Sequence, residues 1–413
     1  MTASYVKSSF QEHASRLGFI SECPIQWDAE RECLCYKSAS GKFFLKLWHF
    51  NMFLSVDTIT ACAIMYNFVQ TLRSSPEKPY VELPVALILS LLGILTYYVI
   101  VNHAMITLYG KDLVNGFNVI VKLEGQLVGG AQVRGQDNHA VFDESNKILE
   151  ASLIFLVRNF YIYRFLLVPF EVYMEFDPFN FLGRDLHKIY DFTHLTLIIV
   201  KVLYFLILMI NVYEVCRAMT LVILIFITLL NIVRSIYSIL LHESGRFFAS
   251  SARINAGITT HLKIQLGMLS VAPFQELGTI FLILIGLVVF VVANFVTIRL
   301  YDTLPFPVYS FFPSVAVVVA IVINLTLPLA HGLLDVSTEV KRRWAASLVG
   351  DGGKLDIKWT RRRLKGTREF CIWAGSGGTK IFRINKETKV QYFEQVISAT
   401  VTTLLSTSDG LLG

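Results

Sequence analysis

Long apolar runs separated by short polar stretches dominate the chain. Five runs are apolar throughout and reach the roughly twenty residues that a helix needs to cross a bilayer. A sixth run, residues 43–69, qualifies if Lys46 and His49 lie at its cytoplasmic end, near the headgroups. Asp57 then needs a partner inside the bundle. The five clearest runs are residues 81–109, 195–213, 219–241, 277–300 and 308–331.

Two further runs are more polar, which brings the total to eight. Residues 153–173 are amphipathic, as expected of a helix that faces protein or a water-filled vestibule, and residues 388–406 are the most polar of all. Residues 195–213 and 219–241 are separated only by the polar stretch 214–218. If both runs cross the membrane, the chain has eight spans and both termini lie on one side. We expect one long helix instead, hence a seven-transmembrane helix bundle with its termini on opposite sides.

A basic block near the C-terminus orients the bundle. Residues 332–387 carry thirteen Lys or Arg and six Asp or Glu, a net +7 against +6 for the whole chain, so the remainder is near neutral at −1. Loops rich in Lys and Arg stay on the cytoplasmic side. With seven spans, this places the N-terminus in the cytosol and the C-terminus outside. Residues 1–41 are polar, so we expect the first span to act as the insertion signal.

Composition supports a multi-pass membrane protein. The chain is 54% hydrophobic and only 16% charged, which is unlike a water-soluble domain of 413 residues. We divide it into four parts: a cytosolic N-terminal segment, transmembrane helices one to six with the ligand-pocket region, a basic cytosolic anchor segment, and a pore-lining last helix with the C-terminus. Their bounds are 1–42, 43–331, 332–387 and 388–413.

No motif indicates an enzyme. The glycine-rich stretches 129–135 and 375–380 do not fit the spacing of a phosphate-binding loop, and neither lies between a strand and a helix. Cys33 and Cys35 lack the spacing and the histidine partners of a structural zinc site. We therefore predict no catalytic residue, no cofactor, no metal and no nucleic-acid partner.

Charges inside the predicted spans are candidate functional groups, because an unpaired charge in hydrocarbon costs on the order of a few kcal/mol. The alternative is that they pair with each other or reach the headgroups at helix ends. A ligand or vestibule role and a pairing role are equally open for Arg158 and Arg164, whereas pairing is favoured for Lys201. The full set is Asp57, Arg158, Arg164, Glu171 and Lys201.

The last predicted helix carries a polar stripe. Its polar residues recur every three or four positions and therefore share one helix face. Such a face suits a helix that lines a water path, although it would also suit packing against other polar helices. The predicted pore residues are Gln391, Gln395, Ser398, Thr402, Ser406 and Asp409.

The C-terminal region has a recognisable order of features. A basic helix with Trp344 and the stretch 361–368 is followed by a glycine-bearing connector, by the pattern Phe-x-Ile-x-Lys-x-Thr at residues 382–388, and by the closing helix. This order resembles the C-terminal region of the insect-type (arthropod) gustatory and odorant receptor superfamily. In size and in the arrangement of its spans, the whole chain resembles this superfamily, whereas the sequence motifs match only from residue 333 onward. The closing gustatory signature keeps only its leading Thr402, so the chain resembles a divergent gustatory-receptor-like member.

This resemblance implies a chemosensory receptor that acts as a ligand-gated nonselective cation channel. It implies a homo- or hetero-tetramer in the lipid bilayer, with or without a co-receptor, in which the last span of each subunit lines a pore. A small tastant or odorant would bind in an outward-opening pocket. From polarity, aromaticity and depth we predict the ligand-binding residues Arg158, Tyr161, Arg164, Phe165, Tyr97, Tyr98 and His103.

Two other functions compete with the channel-receptor. A G-protein-coupled receptor has the same number of spans, but it needs the opposite orientation, and the chain lacks an Asp-Arg-Tyr-like triplet after its third span. A secondary transporter would favour inverted repeats, which the sequence does not show. It would also favour broken helices and acidic residues within the membrane, and only Pro169 and Asp57 point in that direction.

Overall fold

Long helices that run side by side form most of the molecule. The structure, a computed structural model, describes residues 4–18, 22–38, 42–75, 78–132, 139–190, 193–244, 251–348, 355–376 and 378–406. The α-helices are α1 Ser4–Leu17, α2 Phe43–Asn51, α3 Ala61–Arg73, α4 Leu83–Gln132, α5 His139–Tyr173, α6 Pro178–Ile189, α7 His194–Ser244, α8 Ser251–Arg299, α9 Phe306–Ser347, α10 Leu355–Gly366 and α11 Lys386–Ser406. A π-helical segment, Met52–Thr60, joins α2 to α3. Two antiparallel hairpins pair β1 Ile25–Asp28 with β2 Cys33–Tyr36, and β3 Trp373–Ser376 with β4 Thr379–Arg383.

The predicted all-α, polytopic membrane fold is confirmed. Within the described residues, six helical segments are long and apolar enough to cross a membrane. The last helix, α11, has 21 residues, about the length needed to span the hydrocarbon core, but it is more polar than the six. The six segments are Phe43–Arg73, Pro84–Gly129, Asn146–Ile189, His194–Ser244, Ser251–Arg299 and Tyr309–Ser347.

Helix α7 unites the two apolar runs whose relationship the sequence left open. It continues without a break through residues 214–218, where Arg217 donates a hydrogen bond to Glu214 and both side chains are buried. Its 51 residues rise about 77 Å at 1.5 Å per residue, more than twice the hydrocarbon thickness of about 30 Å. The two runs therefore do not form a hairpin, while the sidedness of the termini stays a prediction.

The bundle has two ends, which we call the basal half and the distal half. The basal half is the one against which α1, α10 and both hairpins pack: α1 contacts α5 and α7, and the β3–β4 hairpin lies on α8. The distal half holds α6 and the connection between α3 and α4. There Asp185 of α6 accepts hydrogen bonds from the hydroxyls of Tyr66 and Tyr80, at 3.0 and 2.7 Å.

Side-chain exposure along α7 shows how the two halves differ. Large apolar side chains are exposed in its first, distal turns, up to Leu206, as expected of a lipid-facing surface. From Leu208 to Leu240 nearly every apolar side chain is buried against α4, α5, α9 and α1. The basal half of α7 is therefore the centre of a protein core.

The π-helical segment carries Asp57, whose partner the sequence could not identify. The Asp57 carboxylate lies 2.9 Å from Nδ1 of His103 on α4, and Nε2 of His103 lies 3.1 Å from Nδ1 of His49 on α2. A hydrogen bond at each of these two contacts links the side chains in the order Asp57, His103, His49. The predicted ligand residue His103 is thus the central member of a chain that ties the first span to the second.

The described secondary structure does not break at the predicted boundary between residues 331 and 332. Helix α9 continues from Phe306 to Ser347 across it. The predicted anchor segment then comprises the basal end of α9, helix α10 and the β3–β4 hairpin, followed by the first residues of α11. The four-part division of the chain stays a prediction.

Candidate ligand cavity and last helix

A cavity of about 560 Å³ lies between α4, α5, α7, α8 and α9 in the distal half. This volume is within the range of pockets that bind small organic molecules. Its wall is almost wholly apolar, made of leucine, isoleucine, valine and phenylalanine side chains. The cavity therefore has the size and polarity of a site for a small hydrophobic ligand.

One face of α5 supplies much of the wall. Phe160, Tyr163, Leu167 and Phe170 recur every three or four residues, so they point the same way, toward α9. The Tyr163 hydroxyl donates a hydrogen bond to Oγ of Ser314 on α9 at 2.8 Å. This contact holds two walls of the cavity together and fixes the orientation of the Tyr163 ring.

Few polar groups reach the cavity. Glu171, on the last turn of α5, is the one charged residue among those that line it, all of which lie in the described part of the chain. The Tyr98 side chain enters from α4. Both are buried, and neither Oε2 of Glu171 nor the Tyr98 hydroxyl has a hydrogen-bond partner among the described residues. Neighbouring protein atoms cover both atoms, so a ligand would reach them through a rotation of the Glu171 or Tyr98 side chain.

Of the seven predicted ligand residues, all of them described, Tyr98 is the one that lines this cavity. Its neighbour Tyr97 is exposed on the outer surface, with its ring centroid 5.9 Å from that of Phe281. His103 belongs to the chain with Asp57 and His49 in the basal direction along α4. The ligand-binding role of all seven residues stays a prediction.

Arg158 and Tyr161 contact the N-terminal helix. Arg158 donates a hydrogen bond to Glu12 of α1 at 2.9 Å, and Arg16 binds the same carboxylate. These bonds hold the pKa of Glu12 below its usual range. Arg16 also stacks over the Tyr161 ring, 5.1 Å from its centroid. This face of α5 therefore docks α1.

Arg164 lies one turn farther along α5 and is only 2% exposed. Its guanidinium lies 4.3 Å from the ring centroid of Tyr161, 4.5 Å from that of Phe165 and 5.4 Å from that of Tyr213 on α7. Aromatic faces stabilise a buried cation in this way. Three of the predicted ligand residues thus form one aromatic–cation cluster between α5 and α7.

Helix α11 packs with one side on α8 and α9. Tyr392, Val396 and Thr400 are its buried residues. Much of the remaining surface divides lengthwise into an apolar strip, which also contains the exposed Glu394, and a polar strip, both exposed in the single chain. The apolar strip comprises Val390, Ile397, Val401 and Leu405, and the polar strip comprises Gln391, Gln395, Ser398, Thr402 and Ser406.

The five described pore candidates thus share one exposed face of α11, as the spacing predicts. The sixth, Asp409, lies outside the described residues. Pore lining itself stays a prediction, since it depends on neighbouring subunits.

Sequence reasoning did not identify most of the cavity wall. It noted Glu171 only as a charge within a span, and it overlooked Tyr163 and the aromatic residues of α9. A signal was present: Phe160, Tyr163, Leu167 and Phe170 form an apolar face of α5 at helical spacing. That face is on a different side of α5 from Arg158, Tyr161 and Phe165, whose polar or aromatic character is the basis for their prediction as ligand-binding residues.

Comparison with known proteins supports the fold. No protein-family model matches the sequence, and no curated protein matches it. Among solved structures, the chain is similar to the insect olfactory receptor OR5 from Machilis hrabei, with a TM-score of 0.59 over 98% of both chains and 11% sequence identity. The resemblance drawn from the C-terminal motifs is thereby confirmed at the level of structure: this chain has the fold of an insect olfactory receptor.

Proposed function

We propose that the protein is a chemosensory receptor of the plasma membrane that acts as a ligand-gated nonselective cation channel. The observation that carries this proposal is the apolar cavity in the distal half of a bundle with the fold of an olfactory receptor. A small tastant or odorant would fill the cavity, and burial of its apolar surface would supply most of the binding energy. The cavity wall would then transmit occupancy to α11.

Four copies of the chain would assemble around a central axis lined by α11. The two exposed strips of α11 support this arrangement, because an apolar strip suits contact with a neighbouring helix and a polar strip suits water. The basic segment 332–387 would lie in the cytosol, where the subunits meet. Asp409 from each subunit would add a ring of carboxylates near the external mouth and attract cations.

Electrical recording tests the function directly. The full chain would be expressed in a mammalian cell line, alone and together with candidate partner subunits, and exposed to panels of volatile and water-soluble organic compounds. We expect inward current that reverses near 0 mV with sodium, potassium or caesium as the main cation. Epitope tags on both termini, labelled before and after permeabilisation, should show an inside N-terminus and an outside C-terminus.

Cysteine accessibility tests which strip of α11 lines the pore. In Ser398→Cys and Thr402→Cys, a water-soluble thiol reagent should block the ligand-evoked current. Ile397→Cys, from the apolar strip, is the matched control and should resist the reagent. Asp409→Lys should reduce cation current at unchanged surface expression. Equal block at both strips, or unchanged conductance and selectivity in Asp409→Lys, would contradict the assignment of the pore.

A further inference from the structure

We propose that the cavity is selective for small apolar amines, whose ammonium group pairs with the Glu171 carboxylate. This inference rests on the proposed function, since it names the ligand class of the same cavity. It is carried by the position of one carboxyl group in an otherwise apolar wall.

Glu171 is the charged residue in the cavity wall, and one of its carboxylate oxygens is buried without a partner. Its side chain lines the cavity and is only 9% exposed, and Oε2 makes no hydrogen bond to any described residue. A buried carboxylate without a partner is unfavourable, because it has lost its water without gaining a donor. A ligand with a charged donor would supply both the missing hydrogen bond and the missing counter-charge.

The wall of the cavity contains no cationic side chain that could pair with Glu171. No lysine, arginine or histidine is among its lining residues, all of which are described. Arg164 is seven residues earlier on α5, about 10 Å along the helix axis, and its guanidinium stacks on Tyr161 and Phe165. A counter-charge for the ionised Glu171 carboxylate would therefore have to come from a ligand in the cavity.

Nearby charges add to the preference for a cation. Asp177, just beyond α5, is buried, and its Oδ1 accepts hydrogen bonds from the backbone N–H groups of Phe179 and Asn180 at the start of α6. Its carboxylate is thus committed to capping α6 and adds negative potential close to Glu171. A carboxylic acid ligand would meet like charge at this end of the cavity.

The rest of the wall fits the remainder of an amine. Aromatic rings attract ammonium groups through their faces, and the aliphatic side chains suit a hydrocarbon tail. An alcohol of the same shape would find the same apolar surface and could donate a hydrogen bond, but it would leave the carboxylate without counter-charge. The aromatic residues of the wall include Phe160, Tyr163, Phe170, Phe176, Phe281 and Phe311.

Three probes of equal chain length test the inference on the full-length protein: octylamine, 1-octanol and octanoic acid. Two readouts are measured for each probe, the current in expressing cells and the thermal stabilisation of the purified protein in detergent. On the wild type, octylamine should act at the lowest concentration and octanoic acid at the highest. Because this comparison needs no variant, it holds even if a substitution at Glu171 impairs folding.

Glu171→Gln should then raise the half-maximal concentration of octylamine about tenfold or more, the effect of losing a charge-assisted hydrogen bond. The same variant should change the response to 1-octanol about threefold at most. Glu175→Gln is the matched control, since Glu175 is an exposed carboxylate four residues away. It should leave all three responses unchanged.

The outcomes separate this inference from the proposed function. Amine-selective stabilisation that depends on Glu171 but occurs without current would support the inference and reject the channel. Current without preference for the amine, or an octylamine response that Glu171→Gln leaves intact, would overturn the inference while the channel stands. Neither binding nor current with any compound in the panel would overturn both.

Discussion

The hydroxyl of Tyr392 on α11 lies 3.1 Å from the point where a Cβ atom on Gly286 of α8 would stand. Gly286 also lines the cavity, so its backbone lies between the cavity and the last helix. The neighbouring rings of Phe290 and Phe393 meet edge to face along the same contact, with centroids 6.4 Å apart. A ligand that displaces α8 here would act on α11 directly.

We therefore expect Gly286→Ala to alter gating. The added methyl group would lie 3.1 Å from the Tyr392 hydroxyl, so the Tyr392 side chain must give way by a few tenths of an ångström and loosen the contact between α11 and α8, at a cost of about 1 kcal/mol. Current in the absence of ligand should increase. Adding Tyr392→Phe removes the oxygen and should restore the wild-type response. Gly332→Ala on α9 is the control, since nothing lies within 4 Å of a Cβ there; if both alanine variants behave alike, Gly286 is not a coupling point.

The buried ion pair of α7 should be sensitive to single but not to paired substitution. Arg217→Met leaves the Glu214 charge in the core, which typically costs about 3–5 kcal/mol. Replacing both residues, as in Glu214→Leu with Arg217→Met, removes both charges and should recover most of the loss. Melting temperatures of the purified proteins, read by fluorescence-detected size-exclusion chromatography, provide the measurement. A double variant less stable than Arg217→Met alone would show that the pair has a further role.

Docking of α1 should weaken in acid. Burial lowers the pKa of His13 from 6.5 to about 4, so the unfolded chain binds a proton that the folded chain rejects. Stability from this residue is therefore complete above pH 6.5 and is lost between pH 6.5 and 4, a change of about 3 kcal/mol. The melting temperature should fall over this range, and His13→Leu should reduce the fall. His194→Leu, an exposed histidine at the start of α7, should leave the pH profile as in the wild type.

Loss of the central histidine should destabilise the contact between the first two spans. His103→Ala deprives Asp57 of its partner on α4 and should cost about 1–3 kcal/mol. Asp57→Leu together with His103→Leu removes the carboxylate as well and should be milder than His103→Ala alone. The test compares the melting temperatures of the wild type, the single variant and the double variant in detergent. Equal stability of all three proteins would mean that the chain of hydrogen bonds contributes nothing.

The layout of the helices could be predicted from the sequence because spans depend on local apolar runs. Residues 214–218 were ambiguous, since polarity alone does not distinguish a turn from a buried ion pair one helical turn apart. The structure resolves this: Glu214 and Arg217 satisfy each other inside the bundle.

The cavity was harder to predict, because its wall comes from five helices whose rotations are set by packing. On α5, polarity indicated the face with Arg158 and Tyr161, yet that face binds α1. The regular apolar spacing of Phe160, Tyr163 and Leu167 looked like ordinary core. Only the positions of the other helices show that this face borders empty space.

The long basal half of α7 has a consequence for how the protein responds to stress. In the distal half, helices that leave one another exchange protein contacts for lipid contacts, so little hydrophobic free energy opposes their separation. With the basal half outside the bilayer, as the proposed arrangement requires, the same separation would expose Ile227, Ile236 and Tyr237 to water, and the hydrophobic effect opposes it. One continuous helix would thus join a region held together as in a soluble protein to a region held together as in a membrane protein, and the second could rearrange while the first keeps the subunit folded.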